Sequence, residues 1–234
     1  MRIVRLGVAF LSLAAFAGGA WAASPPPDTL AQRVAACTAC HDDSGRRGAD
    51  AYYPRIAGKP AGYLYHQLLN FKEGRRFYAL MTYQVEHLPD AYLREIAEHF
   101  AALERPYVAP LATTVRPEAL ERGRLLVHEG DAPAELPACT ECHGRRLTGV
   151  VPAIPALVGL PRDYLIAQLN AWRSGVRRAH EPDCMADVAR RLAPEDVAAI
   201  ASWLATQPVL GRAEPVASRK LPLACGSVTD AAVK

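Results

Sequence analysis

The chain has 234 residues, half of them hydrophobic, with 27 Lys+Arg against 24 Asp+Glu and six cysteines. A formal net charge of +3 supplies no basic field for nucleic acid, and six cysteines in this length do not make a disulfide-dense scaffold. Nucleic-acid binding and the small cross-linked secreted folds are therefore excluded at the outset.

Residues 1–22 read as a signal peptide. Arg2 and Arg5 form a positive start, Leu6 to Phe16 is almost wholly apolar, and Ala20-Trp21-Ala22 is a small-x-small cleavage site. The apolar run is short for a bilayer span, which makes a retained anchor the weaker rival. No Cys lies at the cleavage site, so a lipoprotein anchor is not indicated. Cleavage removes two arginines and no acids, leaving a nearly neutral chain expected in the periplasm.

Leu30 to Cys40 is free of Pro and Gly and reads as a helix leading into Cys37-Thr38-Ala39-Cys40-His41. C-x-x-C-H is the attachment signature of a c-type haem. Two cysteines on one turn reach the vinyl groups of one porphyrin as thioethers, and the adjoining histidine lies under the iron. The motif returns 102 residues later as Cys139-Thr140-Glu141-Cys142-His143, which predicts two covalently bound haems. A structural zinc site built from two C-x-x-C pairs is the rival, weakened because both pairs end in His. A covalent porphyrin adds a large apolar body to a core that 100 residues alone would build thinly.

The duplication runs well beyond the motifs. Pro54-Arg55-Ile56-Ala57-Gly58 matches Pro155-Ala156-Leu157-Val158-Gly159 at an offset of 101, and Tyr63-Leu64, Gln67-Leu68 and Gly74 match Tyr164-Leu165, Gln168-Leu169 and Gly175. After a loop the offset is 104, pairing Met81 with Met185, Leu88 with Leu192 and Ile96-Ala97 with Ile200-Ala201. Tyr63, Leu64, Gln67, Leu68 and Phe71 share one helical face, repeated by Tyr164, Leu165, Gln168, Leu169 and Trp172. A last helix in each half holds Leu93, Ile96, Ala97 and Phe100, or Val197, Ile200, Ala201 and Leu204. No segment alternates as a strand does, so the expected fold is all-α. It divides into a signal peptide at 1–22, domains at 23–106 and 107–208, and a tail at 209–234. Pro106, Pro110 and Pro117 mark an extended connector between the halves.

An iron held by one His needs a sixth ligand or an open site. Beyond residue 22 the only methionines are Met81 and Met185, in matching places that the sequence reads as loops before the last helices. They are expected as axial ligands rather than core filler, a pairing that suits a high-potential electron carrier. His87 and His180 lie nearby but do not match each other, and are expected in solvent. Pro54 and Pro155 are expected to shape a loop and to offer a carbonyl to the proximal histidine. Cys184 and Cys225 remain after four cysteines are spent on haem. A disulfide is the leading reading, and a Cys184 thiolate on the second iron is the rival, with thiosulfate-type redox catalysis attached to it.

On these motifs, over residues 30 to 207, the chain resembles the two-haem class I cytochromes c of the c-four subfamily. The resemblance implies two tandem cytochrome c domains about a pseudo-twofold axis, with His41 and Met81 on the first iron and His143 and Met185 on the second. It implies an electron carrier rather than an enzyme, working in the periplasm for a respiratory chain. Its partners would be redox proteins such as a terminal oxidase, a quinol-oxidising complex or a periplasmic dehydrogenase, with membrane association only through them. The chain departs from the family pattern in the Pro25-Pro26-Pro27 start, in the missing counterpart to Arg122-Gly123-Arg124, and in the Cys225 tail.

Overall fold

In the computed structural model, the structure describes residues 28–41, 53–107, 109–110, 113–209, 214–218 and 220–229. The expected signal peptide, the Pro25-Pro26-Pro27 start and residues 42–52 lie outside these residues. The secondary structure of the described residues is helical, with isolated bridges in place of ladders.

The first half opens with two short helices rather than one. Helix α1 (Leu30–Arg33) is started by a capping box in which Thr29 and Gln32 satisfy each other's backbone N–H groups. Val34 forms the joint, fully buried, and α2 (Ala35–His41) carries the first haem motif. Then follow α3 (Ala61–Lys72), α4 (Ala79–Val85) and α5 (Asp90–Ala102). Helix α3 packs on α5 and on α4, burying Leu64, Leu69, Phe71, Leu93, Ile96, Ala97 and Phe100 in one core.

The second half repeats this plan with a longer opening. Helix α6 (Pro117–His128) is separated from α7 (Cys139–His143), which holds the second motif, by a loop with one 3-10 turn. Helices α8 (Arg162–Arg173), α9 (Cys184–Arg191) and α10 (Pro194–Thr206) complete the repeat, and α11 (Gly226–Thr229) belongs to the tail. Pro194 begins α10 at its first position, where a missing N–H costs nothing. Helix α6 lies very close to α10 because Gly123 faces Ala199; a Cβ there would fall 2.3 Å from the Ala199 carbonyl oxygen. Leu126, Val127, Leu165, Val197, Ile200 and Leu204 form a second, separate apolar core.

The start of the connector is pinned. Arg55 donates to the carbonyls of Arg105 and Pro106 at 2.6 and 2.9 Å, and its guanidinium lies 4.1 Å from the ring centroid of Tyr107. That ring occupies the space beside Gly159, where a Cβ would come within 2.3 Å of it, and Gly159 itself has φ +73°.

Candidate functional site

Each half encloses a cavity whose lining begins with its C-x-x-C-H motif. Cys37, Cys40, His41 and Met81 line the first, of about 2100 Å³ counted to its mouth. Cys139, Cys142, His143 and Met185 line the second, of about 1450 Å³ on the same measure.

The two histidines are oriented alike. His41 Nδ1 lies 2.9 Å from the Pro54 carbonyl oxygen, and His143 Nδ1 lies 2.8 Å from that of Pro155. A carbonyl only accepts, so Nδ1 carries the proton and Nε2 keeps its lone pair for a metal. Burial lowers both imidazoles, His143 to about 4, which keeps them in the neutral, ligating form. Burial pushes the Cys139 thiol up to about 12.

Both methionines sit in helices, not loops. Met81 is the third residue of α4 and Met185 the second of α9, each half-buried in a first turn. The sequence reads these stretches as loops because α4 and α9 are short and follow turn-rich segments. His87 is exposed, but His180 is not free in solvent. Its ring lies tilted against that of buried His66, with centroids 5.4 Å apart, and its Nε2 meets Arg75 at 3.0 Å, across the junction of the halves. Cys184 and Cys225 form a disulfide, so the Cys184 sulfur is not a thiolate. The bond ties the tail against the second cavity, where Leu223, Cys225, Ser227 and Val228 join the lining. Val216 adds backbone bonds to Gly149 and Val151 at 2.9 and 3.0 Å. The first cavity's neighbourhood is different: Phe77, Leu80 and Tyr83 are exposed there.

The two cavities share a wall. Lys59, Tyr63, Gln67, Tyr164, Gln168 and Arg177 line both. Arg76 donates to Gln67, Tyr164 and Gln168 at 3.0, 3.0 and 2.9 Å. Arg177 donates to Gln168 and Gln67 at 2.7 and 2.8 Å. Arg76 and Arg177 are repeat partners at the 101-residue offset, as are Gln67 and Gln168, and Tyr63 and Tyr164. The wall is thus a pseudo-twofold hydrogen-bond network with one guanidinium from each side. Burial, then Arg76, lowers Arg177 to about 10, and among the described residues no carboxylate pairs with it. Tyr164 is buried, yet the two arginines bring its phenol below the ordinary tyrosine range. Sequence reading missed both arginines; the available signal was Gly74-x-Arg76 and Gly175-x-Arg177 at one offset.

These features fit two haems. Each cavity supplies two thiols for the thioethers, an imidazole with Nε2 available, a thioether sulfur and a buried cationic edge for the carboxylates. They do not fit a single zinc bound by both C-x-x-C pairs, because the pairs line separate cavities.

No family model matches the chain. A thiosulfate dehydrogenase electron acceptor of Thiomonas intermedia is 37% identical over 212 residues, covering 89% of this chain and 91% of that protein. Cytochrome c4 of Pseudomonas aeruginosa is 31% identical, over 74% of this chain and 84% of its own. Among solved structures, the thiosulfate dehydrogenase of Marichromatium purpuratum superposes with a TM-score of 0.66 at 34% identity. That match covers 74% of this chain and 36% of the other, so the present chain spans about a third of it. With two haem motifs, two helical domains and these relatives, the chain belongs to the cytochromes c4, electron carriers with two covalently bound c-type haems.

Proposed function

We propose that this protein is a periplasmic carrier that takes electrons from a thiosulfate-oxidising dehydrogenase and passes them to a respiratory partner such as a terminal oxidase. One observation carries the reading: two cavities, each lined by a C-x-x-C-H histidine and a methionine, stand back to back on a single wall. The likeness to a thiosulfate dehydrogenase electron acceptor over nine-tenths of the chain supports the choice of donor. Joining two thiosulfate ions through a sulfur–sulfur bond releases two electrons, one for each site.

In this reading Cys37 and Cys40 hold the first haem and Cys139 and Cys142 the second. His41 and Met81 would hold one iron, and His143 and Met185 the other. When bound, each haem supplies an iron that gains or loses one electron. The Pro54 and Pro155 carbonyls fix the rings of His41 and His143 and keep Nδ1 protonated, so the ligating nitrogen stays the same in both redox states. The methionine sulfurs would favour the ferrous state and raise the potential. Apolar linings exclude water, and the wall holds the two sites at a fixed separation. The disulfide at Cys184 removes the thiolate on which a catalytic second haem would depend.

The test is absorbance-monitored reduction of the oxidised holoprotein by thiosulfate, with and without a catalytic amount of thiosulfate dehydrogenase. Both haems are expected to reduce only when the dehydrogenase is present. Failure to reduce with it would refute the donor, and reduction by thiosulfate alone would replace the carrier with an enzyme.

A further inference from the structure

Lys59 breaks the symmetry of the wall. Its repeat-equivalent position in the second half is Leu160. The lysine side chain belongs to the first domain, yet Nζ donates to the carbonyl of Ala156 in the second at 3.2 Å. The residue is 5% exposed and lines both cavities. An ammonium has three protons to donate, and this bond uses one.

Among the described residues no carboxylate pairs with it. Burial, and then the neighbouring Arg55 cation, push Lys59 from the ordinary value near 10.5 down to about 7. A buried ammonium without a counter-ion is costly, whereas a leucine, as at position 160, would carry no such cost. The anion that fits this place is one the cofactor brings: a c-type haem carries two carboxylates, and the cavities meet here. The location favours the second haem. Ala156 directly follows Pro155, the carbonyl that orients His143.

We propose that Lys59 is a positioning residue lent by the first domain to the second haem: its ammonium pairs with a carboxylate of that haem and holds its reduction potential above that of the first. Pairing neutralises an anion that would otherwise stabilise the ferric state, so the ferrous state gains. The proposal rests on the two-haem assignment and not on the identity of the electron donor.

The experiment is a spectroelectrochemical titration of the two-haem holoprotein as wild type, Lys59→Gln and Lys59→Arg. Each haem is identified by NMR contacts to Phe100 of the first cavity or Leu204 of the second. Glutamine keeps an N–H donor but carries no charge; arginine keeps the charge. Lys59→Gln is expected to lower the second haem's reduction equilibrium constant by about tenfold, ~59 mV for one electron, with a smaller change at the first. Lys59→Arg is expected to retain most of the wild-type value. An unchanged second potential in Lys59→Gln, equal shifts at both haems, or an equal loss in Lys59→Arg would each overturn the proposal. If Lys59→Gln fails to load both haems, Lys59→Met, of similar length, replaces it under the same criteria.

Discussion

Arg177 of the second domain donates through Nη2 to Oε1 of Gln67 in the first, at 2.8 Å. The same oxygen accepts from Arg76 at 3.0 Å, so one amide satisfies a guanidinium from each half. Gln67→Ala should therefore leave two charged donors short of an acceptor inside the wall. Hydrogen bonds to charged groups contribute about 1.5–3 kcal/mol, and about 2–4 °C per kcal/mol applies to chains of this size. Thermal unfolding of the holoprotein should shift down by roughly 3–12 °C for each bond lost. Gln168→Ala should match it by symmetry, and the double variant should fall short of the sum because the sites share partners. An unchanged midpoint would mean that solvent enters the wall.

The Cys184–Cys225 bond closes a sequence separation of 41 residues. Replacing both cysteines with serine should cost about 2–4 kcal/mol of stability and make the tail cleavable by trypsin at exposed Lys220. The sulfur-to-iron absorption band should survive intact, because neither cysteine is assigned to iron. Loss of that band from one haem would instead bring Cys184 back as a ligand.

Met81→Ala and Met185→Ala should each remove about half of that band and lower one of the two potentials, leaving the other haem low-spin. Absorbance and magnetic circular dichroism of the ferric protein read this directly. A variant that keeps the whole band would exclude its methionine from the iron.

Lys59 allows a pH test with a definite sign. A lysine lowered to about 7 in the folded chain, against 10.5 unfolded, binds fewer protons when folded between those values. Stability would then rise with pH across that window, because the unfolded state holds the extra proton. A haem carboxylate beside Lys59 raises the folded value again and closes the window. Denaturant unfolding at pH 7 and pH 9 should therefore show a constant difference between the wild-type holoprotein and Lys59→Gln. A wild type that gains on the variant as pH rises would show an uncompensated ammonium.

Gly123→Ala should destabilise the second half by about 1–3 kcal/mol or more. The added carbon would meet the Ala199 carbonyl, its oxygen at 2.3 Å and its carbon at 2.7 Å, and backbone cannot rotate away. Ala199→Gly should not rescue it, since the clash is with the main chain. Calorimetry of the holoprotein decides.

Much of this architecture is legible in the sequence because the repeat is. Two C-x-x-C-H motifs at one spacing, with Pro54 and Pro155 at matched distances, point to the cavity linings that His41 and His143 occupy. Periodicity is also sound for α3 and α8, but it understates their burial: Tyr65, His66 and Asn70 are buried on the other side of α3. Amphipathic reasoning assumes one buried face, whereas α3 lies between a domain core and the junction with its twin. Arginine is ordinarily a surface residue, so Arg76 and Arg177 give no local sign of burial. His180 likewise declares nothing, because its neighbours His66 and Arg75 come from the other half. Short helices such as α4 and α9 are held by packing rather than propensity, which is why Met81 and Met185 read as loop residues.

Gene duplication normally frees two copies to drift apart. Here six side chains belong to both compartments at once, so a change at Gln67 or Arg177 is felt by each cofactor. Neither half could be excised as a self-sufficient single-haem protein without opening its compartment to water along that face.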